Sequence, residues 1–543
     1  MNNNDLVAKL WKLCDNLRDG GVSYQNYVNE LASLLFLKMC EQTGQEDDLL
    51  PQGFRWKDLK EKTGIEQHKF YKDLLNKLDG DHHAIVKAIF VNATTTITQP
   101  AQLNELITEM DKLDWFEKGR DDFGDMYEGL LQKNANETKS GAGQYFTPRP
   151  LINTIVELMK PQPREIIQDP AAGTSGFLIE ADKYIKSQTN DLDALSDDDA
   201  EFQRTRAFVG LELVPETRRL ALMNCLLHDV VGDEEHGAIH LGNTLGADGE
   251  NMQKANVVLS NPPFGSASST NITRTFVHPT SNKQLCFMQH IVETLEPGGR
   301  AAVVIPDNVL FEGGKGTDIR RDLMNKCNLH TILRLPTGIF YAAGVKTNVL
   351  FFQKGTPDNP QQDTDCTTQT WVYDMRTNMQ TFGKRRPLTT RHFDAFKAVY
   401  GDDANGQSPR EEGVYTGQEG ASSHESQLGE IEGLSLDHSL ENNLEKVSDN
   451  ARWRVFSRDY IREQKGDSLD IAWLKDLEAS NSENLPEPDI LAGEAMAELT
   501  EAMGELYQLM QALGADDEAE AQKQLLEQAF GLEEKSELQG DKA

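Results

Sequence analysis

The stretch ANVVLSNPPFGS, residues 255–266, decides the fold. From Ala255 to Leu259 it is a short apolar run of the kind found in a strand buried on both faces, and such strands belong to parallel sheets covered by helices. The run then meets Asn261, two prolines and Phe264. One proline would end a strand, since it locks φ and lacks a backbone N–H. A polar residue followed by two prolines and an aromatic ring is more than a terminator: it is a rigid turn at a strand end.

Outward from this stretch the texture repeats. EIIQDP, AFVGLEL, GAIHLGN, NVVLSNPP, RAAVVIPDN, HTILRLP and TNVLFFQK read as strands, and FLIEADKYIKSQ, PETRRLALMNCLLHD, KQLCFMQHIVETLEPGG and DIRRDLMNKC read as helices between them. That alternation predicts an α/β fold with a mostly parallel seven-strand sheet. Only TGIFYAAGVK separates the last two strands, too short for a crossover, so they form an antiparallel hairpin. Residues 1–135 carry helical periodicity and form an all-α N-terminal domain; Leu6, Leu10, Leu13 and Leu17 share one helix face. The catalytic α/β domain spans 136–400, with Thr147 and Pro148 as N-cap and first residue of its opening helix. Residues 187–203, SQTNDLDALSDDDAEFQ, read as a mobile acidic loop. Residues 401–450 read as a linker, 451–480 as a C-terminal extension of the catalytic domain, and 481–543 as amphipathic helices offering a surface to a partner.

Composition narrows the function. Fifty-four basic residues face 88 acidic ones, a net charge of −34. A protein that grips DNA alone carries a basic face, because neutralising phosphates supplies most non-specific affinity; here a partner or a local basic groove must supply much of that grip. The six cysteines are scattered, without CxxC pairs or matching histidines, so neither a structural zinc site nor a disulfide framework is expected, and no metal is assigned. No apolar run reaches the roughly 18–20 residues of a membrane span, and the N-terminus lacks a secretory pattern, which places the protein in the cytoplasm with no membrane role.

In open parallel sheets ligands bind beyond the carboxyl ends of the strands, so the residues after each strand carry the information. After the first strand, DPAAGTSGF (169–177) brings Asp169 and a turn with glycines at 173 and 176, allowing close backbone approach to a ligand or serving only as a strand-to-helix joint. Glu212 after the second strand reads either as an acceptor for ribose hydroxyls or as a solvated strand-end acid. Asn243 after the third could pair with an adenine edge. At the fourth stands Asn261-Pro262-Pro263-Phe264. The exocyclic amine of a nucleobase is conjugated with its ring and is a poor nucleophile. If the Asn261 side-chain oxygen and the Pro262 carbonyl each accept one N–H, the lone pair becomes available; the prolines hold that carbonyl in place and Phe264 stacks on an extruded base.

QYFTP, DPAAGTSGF and NPPF, in this order, resemble the amino-methyltransferases of DNA that use S-adenosylmethionine. GDMYEGLLQKNANETKSGAGQYFTPRPL and LPTGIFYAAGVKTNVLFF are similar specifically to the modification subunit of type I restriction-modification systems. The resemblance implies a Rossmann-like class I methyltransferase fold and methylation of adenine N6 in double-stranded DNA, protecting it from restriction. It also implies assembly of two modification subunits with one specificity subunit that chooses the site, and addition of a restriction subunit in the full enzyme. Carried over, Gln144, Tyr145, Phe146, Thr147, Pro148 and Arg149 wrap the methionine end of the cofactor, Gly173, Thr174 and Ser175 form the glycine turn, and Glu212 binds ribose. The family often has glycine where Ser175 stands, so a slightly different turn is expected there. Asn243 replaces an acid found near the adenine in some relatives. Phe340 is either a second aromatic wall for the flipped base or a core residue.

EGGKGT around Lys315 lacks phosphate-loop spacing, and IPDNVLFEGGK lacks the spacing of a nuclease PD…ExK motif, so neither ATPase nor nuclease activity is assigned. Two other readings remain at this point: methylation of another planar amine (cytosine N4, an RNA guanine, a protein glutamine), or a cofactor-binding scaffold.

Overall fold

A computed structural model describes residues 24–80, 83–112, 127–131, 147–264, 272–340, 345–377, 379, 382–383, 386–410 and 451–474. All seven expected strands are present: β1 (Ile167–Asp169), β2 (Phe208–Glu212), β3 (Ile239–Leu241), β4 (Ala255–Ser260), β5 (Leu295–Pro306), β6 (Cys327–Arg334) and β7 (Thr347–Lys354). The sheet does not end at the hairpin. β8 (Gln369–Asp374) and β9 (Trp453–Ser457) extend it to nine strands in the order β3-β2-β1-β4-β5-β7-β6-β8-β9. β1 to β5 pair in parallel, β7 lies antiparallel between β5 and β6, β8 runs parallel to β6, and β9 closes the edge antiparallel to β8. β8 and β9 escape a local reading because their partnership spans a long acidic insertion, and each is too short to declare a period by itself. Stacked Trp371 and Trp453, ring centroids 5.0 Å apart, join them.

The strand directions place the ends of β1, β2, β3, β4, β5, β6 and β8 along one rim of the sheet. Asp169, Glu212, Asn243, Asn261, Asp307, Phe340 and Arg376 therefore stand at or just beyond that rim. β4 and β5 are fully apolar at their centres, with Val257, Val258, Leu259, Ala302, Val303 and Val304 all buried, because helices cover both faces.

Between residues 24 and 112 the described residues form helices and no strand, those of five residues or more being α1 (Tyr24–Gln42), α2 (Trp56–Lys60), α3 (Gly64–Asp79), α4 (Ala84–Phe90) and α5 (Pro100–Asp111). Their core includes Phe36, Trp56, Tyr71 and Phe90. The predicted helix over residues 5–17 lies outside the described residues. The described helices of this region pack against the α/β layer within one compact unit. Arg219 donates to the Val91 carbonyl at 2.9 Å and Tyr127 to the Leu220 carbonyl at 3.3 Å, both across the boundary between helices and sheet.

The opening helix of the α/β layer, α6, covers Arg149–Met159, one residue later than expected. Pro148 is its N-cap and no side chain caps it; Pro150 lies in the first turn, where a missing N–H costs nothing. Thr147 is therefore not the cap. After α7 (Gly176–Gln188), the segment expected as a mobile acidic loop instead contains α8, Asp197–Thr205. The Ser196 hydroxyl accepts from Asp199 N at 3.2 Å, and Asp197, Asp198 and Asp199 fill the first turn, where the helix dipole favours negative charge. What looked like disorder is a helix start.

The longer helices that follow are α9 (Pro215–Leu227), α10 (Lys283–Thr294), α11 (Lys315–Lys326), α12 (Asp394–Tyr400) and α13 (Arg458–Glu463). Residues 401–410, expected as the start of a linker, are held down: Arg410 donates to Tyr400 O and Thr331 Oγ1 and lies over the rings of Tyr400 and Trp453. The rest of the expected linker, 411–450, and the expected helical tail, 481–543, lie outside the described residues. No helix among the described residues is long and apolar enough to cross a membrane. Cys40, Cys225, Cys286, Cys327 and Cys366 are buried, and none of these five forms a disulfide.

Candidate active site

The glycine turn after β1 lies directly on β2. A Cβ at Gly210 would stand 2.9 Å from the Ala172 Cβ and 2.5 Å from Ile239, so the absence of a side chain there is what lets the turn approach. Gly173 and Ser175 both have left-handed backbones, φ 53° and 69°. The turn thus keeps a glycine-like shape at Ser175, against the expectation of an altered one, at a cost of about 1–2 kcal/mol for a non-glycine residue. Ser175 N closes the turn on Ala172 O at 2.7 Å, and Asn224 on α9 holds the Thr174 carbonyl at 2.9 Å. These contacts impose the shape.

Glu212 faces this turn. Its carboxylate accepts Gly173 N at 3.0 Å and Val214 N at 2.8 Å, and burial raises its pKa against those backbone N–H groups. Asn243 is turned partly inward: its Oδ1 accepts Leu245 N at 3.0 Å. Arg149 pairs through Nη2 with buried Glu128, while its Nε and Nη1 are buried without hydrogen-bond partners. A Cβ on Gly176 would stand 3.6 Å from that Nη1, which places the guanidinium against the start of α7. Gln144, Tyr145 and Phe146 lie outside the described residues.

The Asn-Pro-Pro-Phe turn follows β4, next to β1 in the sheet. Asn261 Nδ2 donates to Thr147 Oγ1 at 2.9 Å, and Gln284, buried on α10, donates to the Pro263 carbonyl at 3.2 Å. Phe264 packs edge-on against Phe340, ring centroids 5.8 Å apart at 76°. Phe340 is buried, 3% exposed, so it belongs to the core while its ring also touches that of Phe264.

Asp169 links the two halves. Its Oδ1 accepts the Ser260 hydroxyl at 2.7 Å and Ala171 N at 3.0 Å, joining the glycine turn to the residue before Asn261. Burial pushes its pKa up to about 7 against those two hydrogen bonds, with Glu212 nearby adding to the rise. An unfolded aspartate titrates near about 3.9. Between roughly pH 4 and 7 the folded chain therefore holds a proton the unfolded chain has lost, and stability falls as pH rises through that window, then levels off. Asp169→Asn retains the acceptor and removes the charge. Its stability relative to the parent should rise between about pH 5 and about pH 8, read as urea midpoints; a difference independent of pH would contradict this account.

Sequence reasoning missed a second polar cluster on the rim. Asp307, after β5, accepts Asn348 Nδ2 at 2.7 Å and Arg376 Nη1 at 2.8 Å; Arg376 also donates to the Leu335, Thr347 and Asn348 oxygens. One buried guanidinium thus ties the ends of β5, β6 and β8 to the start of β7. The available signal was polar: Asp307, Asn348 and Arg376 each adjoin an apolar run.

Asp233, His236 and His240 bring one carboxylate and two imidazoles together on the β3 edge, and the Asp233 carboxylate meets His240 Nε2 at 2.7 Å. Burial lowers the pKa of His240 while Asp233 opposes that shift. The group is three strands away from β4 in the sheet order and has no part in the site just described.

Family models match almost end to end: the N-6 DNA Methylase model over residues 118–443, the HsdM N-terminal domain over 6–110, and the C-terminal domain of type I restriction enzyme methylase subunits over 485–528. The StySJI methylase subunit of Salmonella typhimurium is 68% identical over 537 residues, covering 98% of this chain and 99% of that protein. The chain belongs to the type I restriction enzyme methylase subunits. The crystal structure of the EcoKI M protein resembles this methylase subunit with 62% identity and a TM-score of 0.57, over 97% of this chain and 100% of that one. A chain from a structure of type I restriction-modification complex assembly and conformational transition aligns with 26% identity and a TM-score of 0.66, over 94% and 99%. As a methylase subunit of a multi-subunit enzyme, the chain accounts for its own acidity: DNA need not be gripped by it alone.

Proposed function

We propose that this methylase subunit transfers a methyl group from S-adenosylmethionine to N6 of an adenine flipped out of double-stranded DNA. A specificity subunit chooses the site, in an assembly of two methylase chains and one specificity chain that a restriction subunit joins, and the work is done in the cytoplasm. The observation that carries this reading is the meeting, on adjacent strands, of the Glu212-buttressed glycine turn with the Asn261 turn, linked through Asp169 and Ser260.

The residues present fit S-adenosylmethionine. Gly173 has open space where a Cβ would stand, with only Ala171 O at 4.0 Å. Glu212 Oε2 accepts Gly173 N and Oε1 accepts Val214 N, and a carboxylate with about four lone-pair sites retains capacity for a ribose hydroxyl. The unpartnered nitrogens of Arg149 suit a carboxylate. Thr174, Ser175 and Asn243 border the same cradle, and Gln144, Tyr145, Phe146, Thr147 and Pro148 complete it in this reading. When bound, the cofactor supplies an electrophilic methyl group on a sulfonium. Asn261 and the Pro262 carbonyl accept the two N–H groups of the adenine amine and draw its lone pair out of conjugation. Pro262 and Pro263 keep that carbonyl from moving, and Phe264, with Phe340 at its edge, forms the wall on which the base stacks. The methylated nitrogen is acidic enough to shed its extra proton to water, so no tuned base is required beside it.

Affinity purification of the chain from its native host, with methylation mapping of host DNA, tests the whole reading. A specificity chain should co-purify and N6-methyladenine should be the product. N4-methylcytosine, or no methylated base, would point to the other amine or scaffold readings.

A further inference from the structure

We propose that Asp233, His236 and His240 form a binding site for a first-row divalent transition metal of the zinc class, in which the ion fastens β3, the edge strand of the sheet, to the turn that precedes it. The site contains no cysteine, so the scattered cysteines of the sequence give no hint of it. It stands three strands from β4 and is independent of the methyl-transfer residues.

Two imidazoles and one carboxylate are donors that suit zinc and its neighbours, whereas magnesium and calcium take oxygen ligands. One ligand atom from each of the three residues lies within 4.8 Å of the others. A tetrahedral zinc ion with bonds of about 2.0–2.2 Å sets its ligand atoms about 3.4 Å apart. Asp233 Oδ1 and His236 Nδ1 already stand 3.3 Å apart, and the two imidazole rings stack with centroids separated by 4.7 Å. Asp233 Oδ2 meets His240 Nε2 at 2.7 Å, the length of a hydrogen bond. On binding, the ion takes the place of the proton between them, the two atoms open by about 0.7 Å, and the ring keeps a proton on Nδ1. Water, or Glu235 with its Oε1 3.9 Å from His236 Nε2, fills the fourth position.

The backbone that carries these side chains is held in advance. Asp233 Oδ1 accepts Glu235 N at 2.9 Å and His236 N at 2.7 Å, and Gly237 N closes the turn on Asp233 O at 2.9 Å. Gly237 has a left-handed backbone, φ 73°, and a Cβ there would stand 2.8 Å from Leu222 Cδ2, so only glycine lets the turn lie down on α9. From α9, buried Arg218 donates to the His236 carbonyl at 2.9 Å and to the carbonyl of Ile239, next to His240, at 2.7 Å. One guanidinium thus fixes both segments that bear a histidine, and Asp233, Glu234 and Glu235 set negative charge against it. An ion here has to order side chains alone, which lowers the entropy cost of binding.

The full chain, purified through a tag without histidines, freed of metal with EDTA and desalted, is titrated with zinc chloride by calorimetry. Zinc should bind with a Kd of about 1–10 μM, weaker than at closed four-ligand sites because the protein fixes three ligands. His236→Gln and His240→Gln should each weaken that binding by at least about 30-fold. The His236 side chain is 46% exposed, so its replacement spares the fold. Magnesium chloride over the same concentrations should give no binding. Without any substitution, zinc should slow hydrogen exchange across residues 231–241 by at least about threefold, which locates the ion. A parent chain that binds no zinc, parent affinity in either histidine variant, or exchange across 231–241 unchanged in the zinc-loaded chain would each overturn the proposal.

Discussion

Asn261→Ala should reduce N6-adenine methylation by about 10²–10³-fold while S-adenosylmethionine still binds within about threefold of the parent affinity, the scale expected for removing one preorganised group that meets charge developing at the reacting atom. Asn261 stands past the carboxyl end of β4, whereas the proposed cofactor contacts, Glu212 and the Gly173 turn, come from β2 and from the loop after β1. Alanine leaves those contacts intact. It removes the side-chain acceptor and leaves the Pro262 carbonyl alone against the amine. Single-turnover methylation by the complex, with calorimetric cofactor binding, separates the two effects. Methylation at the parent rate would take Asn261 out of the chemistry; cofactor binding lost in parallel would move it into the cofactor site.

Arg376→Ala should be the more damaging change to the fold, costing about 3–5 kcal/mol, because the buried Thr347 and Asn348 oxygens and the Leu335 carbonyl lose their donor and half-buried Asp307 loses its cationic partner. The guanidinium is 9% exposed and reaches Asp307 at 2.8 Å, Thr347 O at 2.7 Å, Leu335 O at 3.0 Å and Asn348 Oδ1 at 3.2 Å. Four segments of the rim lose their common tie when it goes. Arg376→Lys should recover less than half of the loss, since an ammonium cannot reproduce the planar fork. Urea unfolding followed through the stacked Trp371 and Trp453, on β8 and β9 beside this cluster, reads the effect. A loss below about 1 kcal/mol would mean that the cluster is better hydrated than its burial implies.

The two residues differ in how they could be found. Asn261 was legible because its meaning is local: an apolar strand, then a polar residue, two prolines and an aromatic within four positions. Glu212 and the Gly173 turn were legible for the same reason, as residues at the ends of strands whose alternation with helices dictates a shared rim. Arg376 was not, since nothing within several residues of it announces a partner just after β5. Ser175 was read as a deviation in the turn, yet the surrounding hydrogen bonds force a serine into the left-handed conformation. The acidic run at 197–199 was read as a solvated loop, although the serine before it marks a helix N-terminus.

The sequence by itself determined the seven strands around the Asn-Pro-Pro-Phe turn, the rim on which the motif residues gather, and the family to which they point. Periodicity, glycine and proline act through neighbouring residues, so their effect is written where they stand. Only the tertiary structure decided that β8 and β9 complete the sheet, that Asp169 ties the glycine turn to Ser260, that Arg376 locks the rim, and that Thr147 faces Asn261 instead of capping a helix. Each of these depends on a hydrogen bond or strand pairing between segments far apart in the chain. Such a contact is specified by the packing of everything between, and has no signature in either segment alone.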